Sequence, residues 1–298
     1  MSSSNLAGPN KHIIRSLMLV FRLIPFPFIY RVGEVEGVLA YHLIKRRHNI
    51  GISNLRIAFP DKSDKELERI LLSCWQNIGK DVLETVKYCA LSTEQKRKQI
   101  VIKGKEYLEL AMSKQKGVIA LSAHFGCFPV LCQRLAAEGY PVATIYRKMH
   151  NKLLAPLVPT LQREGGIEPI QDLPRHRCVA SSLRWLKSGG ILFLQIDQNP
   201  SRKAGVPIDF FGKKVPTFRG PVTFAMRTGA EILPMFILRG KDNRHQIVIH
   251  KPYELKLTGN NKEDIPLNLE NLSKITEEYI RRYPEHWWWI HRRFRKAL

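Results

Sequence analysis

Residues 118–129 read Val-Ile-Ala-Leu-Ser-Ala-His-Phe-Gly-Cys-Phe-Pro. The uncharged run 118–123 has the length and composition of a strand buried on both faces, the kind found in parallel sheets covered by helices. It delivers His124 to a turn containing Gly126, and a helix is expected to follow, to about residue 138. Open α/β sheets bind ligands at the carboxyl ends of their strands. A histidine placed there suits proton transfer near neutral pH. By itself the short motif fits a histidine that only hydrogen-bonds within a loop better than a catalytic one, and other segments decide between them.

The rest of the chain repeats the alternation. Cap residues at 61–64 precede a helix over 65–89, in which Gly79 implies close packing against a neighbour. Strands are expected at 100–103, 142–145, 191–196, 208–211, 232–238 and 247–251. Helices are expected at 106–113, 153–163, 179–187, 221–227 and 268–282. Strand 142–145 runs into Tyr146-Arg147, helix 153–163 ends at Arg163 before Gly165-Gly166, and strand 191–196 opens onto Asp197-Gln198. This pattern gives an α/β domain over 49–298, with a mostly parallel or mixed central sheet and helices on both faces.

Residues 1–48 differ. The stretch 13–30 is apolar but interrupted by Arg15, Arg22, Pro25 and Pro27, and 32–44 is a second apolar stretch before Lys45-Arg46-Arg47. Neither is a clean run of the roughly 20 apolar residues that span a bilayer. The expectation is a kinked hairpin or amphipathic segment lying at a membrane surface, or a helix packed on the domain's own core.

Charge points the same way. Lys and Arg number 48 against 26 Asp and Glu, a net charge of +22, which implies an anionic partner. No recognition helix, zinc-finger spacing or aromatic RNA-binding pattern accompanies it, so nucleic acid is not expected. Five cysteines without a Cys-x-x-Cys pair fit neither a disulfide framework nor a zinc site. His286 and His291 are not spaced as a metal pair, and no metal or cofactor is expected.

Four blocks occur in order: His124-Phe125-Gly126; Tyr146-Arg147 with Arg163-Glu164-Gly165-Gly166; Asp197-Gln198 with Phe210-Phe211-Gly212 and Gly220-Pro221; and residues 283–293, Tyr-Pro-Glu-His-Trp-Trp-Trp-Ile-His-Arg-Arg. With Asn54-Leu55 and Phe59-Pro60, they resemble the bacterial lipid A biosynthesis acyltransferases of the glycerolipid acyltransferase superfamily. The resemblance covers roughly 50–295. It implies a glycerolipid acyltransferase-like fold and transfer of a fatty acyl chain from a thioester, on acyl-carrier protein or CoA, to a hydroxyl of an anionic glycolipid. It also implies a place at the cytoplasmic face of the inner membrane.

The sequence departs from the family at one position. The family carries Glu or Asp five residues after the histidine, where this chain has Pro129. Asp197 is the first candidate to supply the missing acid and Glu138 the second. A backbone carbonyl holding His124, or a lipid-binding protein without turnover, are the other arrangements. In the first case His124 is the base, oriented by Asp197, and backbone N–H groups around Gly126 face the oxyanion. Arg147, Arg163 and Gln198 are then the substrate-binding candidates. A lysophospholipid or another hydroxylated lipid is the alternative acceptor. Cys127 offers an acyl-cysteine route, and Trp287-Trp288-Trp289 is either an interfacial anchor or core.

Overall fold

The computed structural model describes residues 16, 18–149, 151, 155–200 and 205–296. Residues 18–23 are helical, and the chain breaks before Pro25. Helix α1 (Phe26–Leu43) starts there, with Pro25 as its N-cap and Pro27 in its first turn, where the missing N–H costs nothing. The two apolar stretches therefore meet in one helix rather than dividing at residue 31. Helix α2 (Lys45–Ala58) follows, then α3 (Asp64–Cys89), whose N-cap Ser63 and Glu66 form a reciprocal capping box.

The expected close packing at Gly79 is where α1 crosses α3. A Cβ on Gly79 would lie 2.0 Å from the Gly33 carbonyl oxygen, and one on Gly37 would lie 2.4 Å from that of Trp75. Lys87 adds a second tie, its Nζ donating to the carbonyls of Phe21, Arg22 and Ile24 at 2.8, 3.0 and 2.8 Å. A buried ionic cluster adds a third. Arg239 donates to Asp81 and Glu84, His245 also meets Glu84, and the Tyr30 hydroxyl donates to Glu84 at 2.9 Å. The opposite face of α1 exposes Phe28, Val35, Leu39 and Leu43 along one stripe. No helix among the described residues is long and apolar enough to cross a membrane.

The domain is built on strands β1 (Ile100–Lys103), β2 (Val118–Ser122), β3 (Val142–Tyr146), β4 (Ile167–Gln171), β5 (Ile191–Gln195), β8 (Glu231–Arg239) and β9 (His245–Ile249), in the order β1-β9-β8-β2-β5-β3-β4. Only β8 and β9 run antiparallel, so the sheet is mixed. Residues alternate between its faces: Ile119 and Leu121 pack into one core cluster, Val118 and Ala120 into the other. Helices α4 (Thr93–Gln99), α5 (Lys105–Ser113), α6 (Phe128–Ala137), α7 (Leu157–Glu164), α8 (Arg175–Lys187), α9 (Gly220–Thr228) and α10 (Asn261–Arg282) complete the fold.

Strands β4 and β7 (Lys213–Phe218) were not expected from the sequence. Each carries a proline, Pro169 and Pro216, that argues against a strand. Both nevertheless sit where proline is tolerated: β4 at the sheet edge, and β7 in a two-stranded ribbon with β6 (Gly205–Phe210). Helix α10 likewise begins seven residues before its expected start because it accommodates Pro266. Part of the expected helix 153–163 lies outside the described residues.

Candidate active site

Strands β2 and β5 are parallel neighbours whose last paired residues are Ser122 and Gln195. The Ile196 N–H donates to the Ser122 carbonyl and carries the ladder one step further. Two residues beyond that last pair, on each strand, stand His124 and Asp197. Asp197 Oδ1 lies 2.9 Å from His124 Nδ1, and Oδ2 accepts from the His124 backbone N–H at 3.0 Å and from the Trp287 indole at 2.8 Å. Asp197 is 1% exposed. Burial alone would raise its pKa, but His124, then His291 and the Trp287 donor, outweigh burial and hold it well below the carboxylate range.

An ionised Asp197 fixes the proton of a neutral His124 on Nδ1 and leaves Nε2 with a free lone pair. Gln198 Nε2 lies 2.8 Å from that nitrogen and 3.0 Å from His291 Nε2. An amide NH2 has two hydrogens, so one Gln198 serves both neutral imidazoles as donor. Burial, and then repulsion from the positive charge His124 carries whenever it is protonated, push His291 down to about 4, which keeps it neutral. The Trp288 ring stacks on His291 at 15°, and Phe128 and Trp288 lie 5.3 and 5.6 Å from the His124 ring. His124 thus sits between aromatic walls, with a polar amide at its reactive nitrogen.

The tail closes over the turn after β2. The Trp288 N–H donates to the His124 carbonyl at 3.1 Å, and the Gly126 N–H donates to the His286 carbonyl at 2.8 Å. The Gly126 N–H, expected to face an oxyanion, is thereby committed. Gly126 is needed for another reason: φ is +55°, and a Cβ would lie 2.3 Å from the Ile237 carbonyl oxygen. Trp287 and Trp289 are 0% exposed, so these two form core rather than an interfacial anchor. Asn54 Nδ2 donates to the Trp289 and His291 carbonyls, both at 2.6 Å, and pins the tail to α2.

The other expected residues lie elsewhere. Arg147 is exposed and pairs with Asp172 at 2.9 Å, and Arg163 is exposed in the last turn of α7; neither lines the cavity at His291. Glu138 caps the far end of α6, held by Arg134 and Lys105. Cys127 is buried with its Sγ 3.6 Å from the Asp81 carbonyl, and burial pushes its thiol well up. A protonated thiol turned toward α3 cannot be the nucleophile His124 activates. Asp81, Glu84 and Cys127 lie close enough together to hold a metal, but both carboxylates already bind Arg239.

Beside the histidine pair is a cavity of about 430 Å³, lined by Arg46 and Arg47 from α2, Asp197, Gln198 and Asn199 after β5, and His291, Arg292 and Arg293 from the tail. Sequence reasoning noted these arginines only as clusters of charge and missed His291, Trp287 and Asn54 as parts of the site. Their one signal was membership in the family blocks, because nothing in local spacing places residue 291 against residue 124.

The chain is similar to known enzymes along nearly its whole length. It is 24% identical over 280 residues to the lipid A biosynthesis lauroyltransferase of Escherichia coli, covering 94% of this chain and 89% of that one. It is 26% identical over 274 residues to the palmitoleoyltransferase of the same organism, covering 91% and 86%. The crystal structure of a 1-acyl-sn-glycerophosphate acyltransferase from Thermotoga maritima aligns loosely, with a TM-score of 0.39 at 17% identity over 90% of this chain and 97% of that one. The model of the bacterial lipid A biosynthesis acyltransferases matches residues 10–296, and the chain belongs to that family of acyltransferases.

Proposed function

We propose that this protein transfers a fatty acyl chain from an acyl thioester, on acyl-carrier protein or CoA, to a hydroxyl of a lipid A precursor or related glycolipid. His124 acts as the base and Asp197 positions it. The observation that carries this reading is the contact between His124 Nδ1 and Asp197 at 2.9 Å, which supplies the acid that Pro129 removes from the family pattern. In the reaction, His124 Nε2 takes the hydroxyl proton while the oxygen attacks the thioester carbonyl. The carbon–oxygen ester bond forms, the carbon–sulfur bond breaks, and the imidazolium returns its proton to the departing thiolate. Asp197 stabilises the imidazolium without taking its proton.

Before attack, Gln198 occupies the lone pair of Nε2, so the acceptor hydroxyl displaces the amide to reach the base. The aromatic walls of Phe128 and Trp288 exclude water from the thioester. The apolar stripe of α1 and the run Lys45-Arg46-Arg47 that follows the helix support docking of residues 1–48 on an anionic leaflet, at the cytoplasmic face of the inner membrane. Arg147 and Arg163 stand outside the cavity and are assigned no contact with the reacting groups.

Incubating membranes that carry the wild type or His124→Ala with labelled acyl-carrier protein and a lipid A precursor tests the proposal. Acylated product that depends on His124 is expected; equal product from both proteins ends it. A lysophospholipid tested in parallel discriminates the alternative acceptor.

A further inference from the structure

We infer that the cavity beside the histidine pair is a phosphate-binding site, built by Arg46, Arg47 and Arg292, and that it holds a phosphate of the acceptor lipid during transfer. The inference rests on the acyl-transfer reading for its choice of ligand, but the site itself is argued from charge and geometry.

Three observations converge on it. First, Arg46, Arg47 and Arg292 line one cavity of about 430 Å³, and none has a carboxylate partner among the described residues. Arg292 is pushed below its usual pKa chiefly by the neighbouring charge of Arg46, so these cations repel one another. Second, Arg46 and Arg47 occupy the first turn of α2, which has no side-chain cap and no acidic residue. Cations at a helix N-terminus oppose its dipole, whereas an anion there meets both the dipole and the guanidinium groups.

Third, the competing charges are already satisfied. Asp197 also lines the cavity, but both its oxygens receive donors from His124 and Trp287. Arg293 is buried and both its Nη atoms donate, to Asn199, Pro216 and Thr217, so among the described residues only its Nε is without a partner. Arg47 spends one N–H on the Ile290 carbonyl at 3.0 Å, which ties it to the tail that forms the other side of the cavity.

Position selects the source of the phosphate. Gln198 both lines the cavity and lies 2.8 Å from His124 Nε2, so the anion sits about one side chain from the base. An acceptor lipid with its phosphate a few bonds from the reacting hydroxyl spans that gap. The phosphate of a pantetheine thioester lies at the far end of the arm from the reacting carbonyl and does not.

The test uses the full-length protein and the double variant Arg46→Ala/Arg292→Ala. Calorimetric titration with inorganic phosphate is expected to show salt-sensitive binding to the wild type, weakened on the order of tenfold or more in the variant, since each lost charged hydrogen bond is worth about that factor. In the transfer assay the KM for a phosphorylated acceptor is expected to rise by a similar factor, with the KM for the acyl donor unchanged. A dephosphorylated acceptor is expected to be used equally by both proteins. Arg46→Lys/Arg292→Lys, which keeps the charge and loses the fork, is expected to fall between.

A rise confined to the donor KM would overturn the assignment to the acceptor. Phosphate binding and acceptor KM both unchanged would overturn the site. If no lipid is acylated but phosphate binding is still lost in the variant, the site stands and the acyl-transfer reading fails.

Discussion

His124 and Asp197 are partners because β2 and β5 run in parallel register: each residue stands two positions past the last pair of its strand, and their side chains meet at 2.9 Å. The acid of the pair therefore comes from the neighbouring strand rather than from the helix after the histidine. Pro129 is left with a backbone role in the first turn of α6, where proline is at home. Restoring the family's acid with Pro129→Glu is expected to leave kcat/KM for acyl transfer within a few-fold of wild type, because the Nδ1 position is already filled.

The second histidine gives a signature in pH. His291 is held at about 4 in the folded chain against 6.5 for an unperturbed histidine. As pH falls below 6.5 the unfolded chain takes up this proton before the folded one, so stability is full above 6.5 and is lost down to about 4. At about 1.4 kcal/mol per unit, the loss approaches roughly 3 kcal/mol. In His291→Gln, which keeps an acceptor for Gln198, urea denaturation between pH 7 and 4 is expected to show a shallower decline by about that amount.

The glycine crossing of α1 and α3 is a second place where single atoms decide. Gly79→Ala puts a Cβ into the Gly33 carbonyl, and backbone cannot yield as a flexible side chain does. A loss of about 1–3 kcal/mol in chemical denaturation is expected, with faster hydrogen exchange in α1 than in the wild type. Ala at Gly139, where nothing lies within 4 Å but φ is +98°, controls for backbone strain without a clash.

The stripe on α1 tests membrane docking. Phe28→Ser with Leu39→Ser removes two exposed apolar side chains without touching the face that packs on α3. Each contributes on the order of 1.5–3 kcal/mol when fully buried, so binding to vesicles rich in anionic lipid is expected to weaken at least tenfold. Unchanged partitioning would remove α1 from the interface.

Much of the fold was legible because the elements that position the site are strongly patterned. The charge-free run that became β2, the capped helix α3 and the glycine pairs closing α7 and α8 all carry local signals. Strands β4 and β7 did not, because their prolines mark tolerance at an edge or ribbon, which is a property of the sheet and not of the segment. His124 and Asp197 were legible as strand-end residues. Gln198 was named, but its double donation was not foreseen, since that depends on the tail folding back to bring His291 beside residue 124. The same long-range closure consumed the Gly126 N–H and buried Trp287 and Trp289. Arg147 and Arg163 are singled out by their chemistry, whereas the guanidinium groups that line the cavity beside His291 come from α2 and the tail.

The most direct test of the central claim is the single-turnover rate of acyl transfer for the wild type, His124→Ala and Asp197→Asn under saturating donor and acceptor. Asparagine keeps the shape of Asp197 but favours the wrong tautomer and leaves the imidazolium unstabilised, so a fall of about 10⁴, close to that of His124→Ala, is expected. A wild-type rate in Asp197→Asn, with His124→Ala inactive, would show that residue 124 works without residue 197 and would contradict the account.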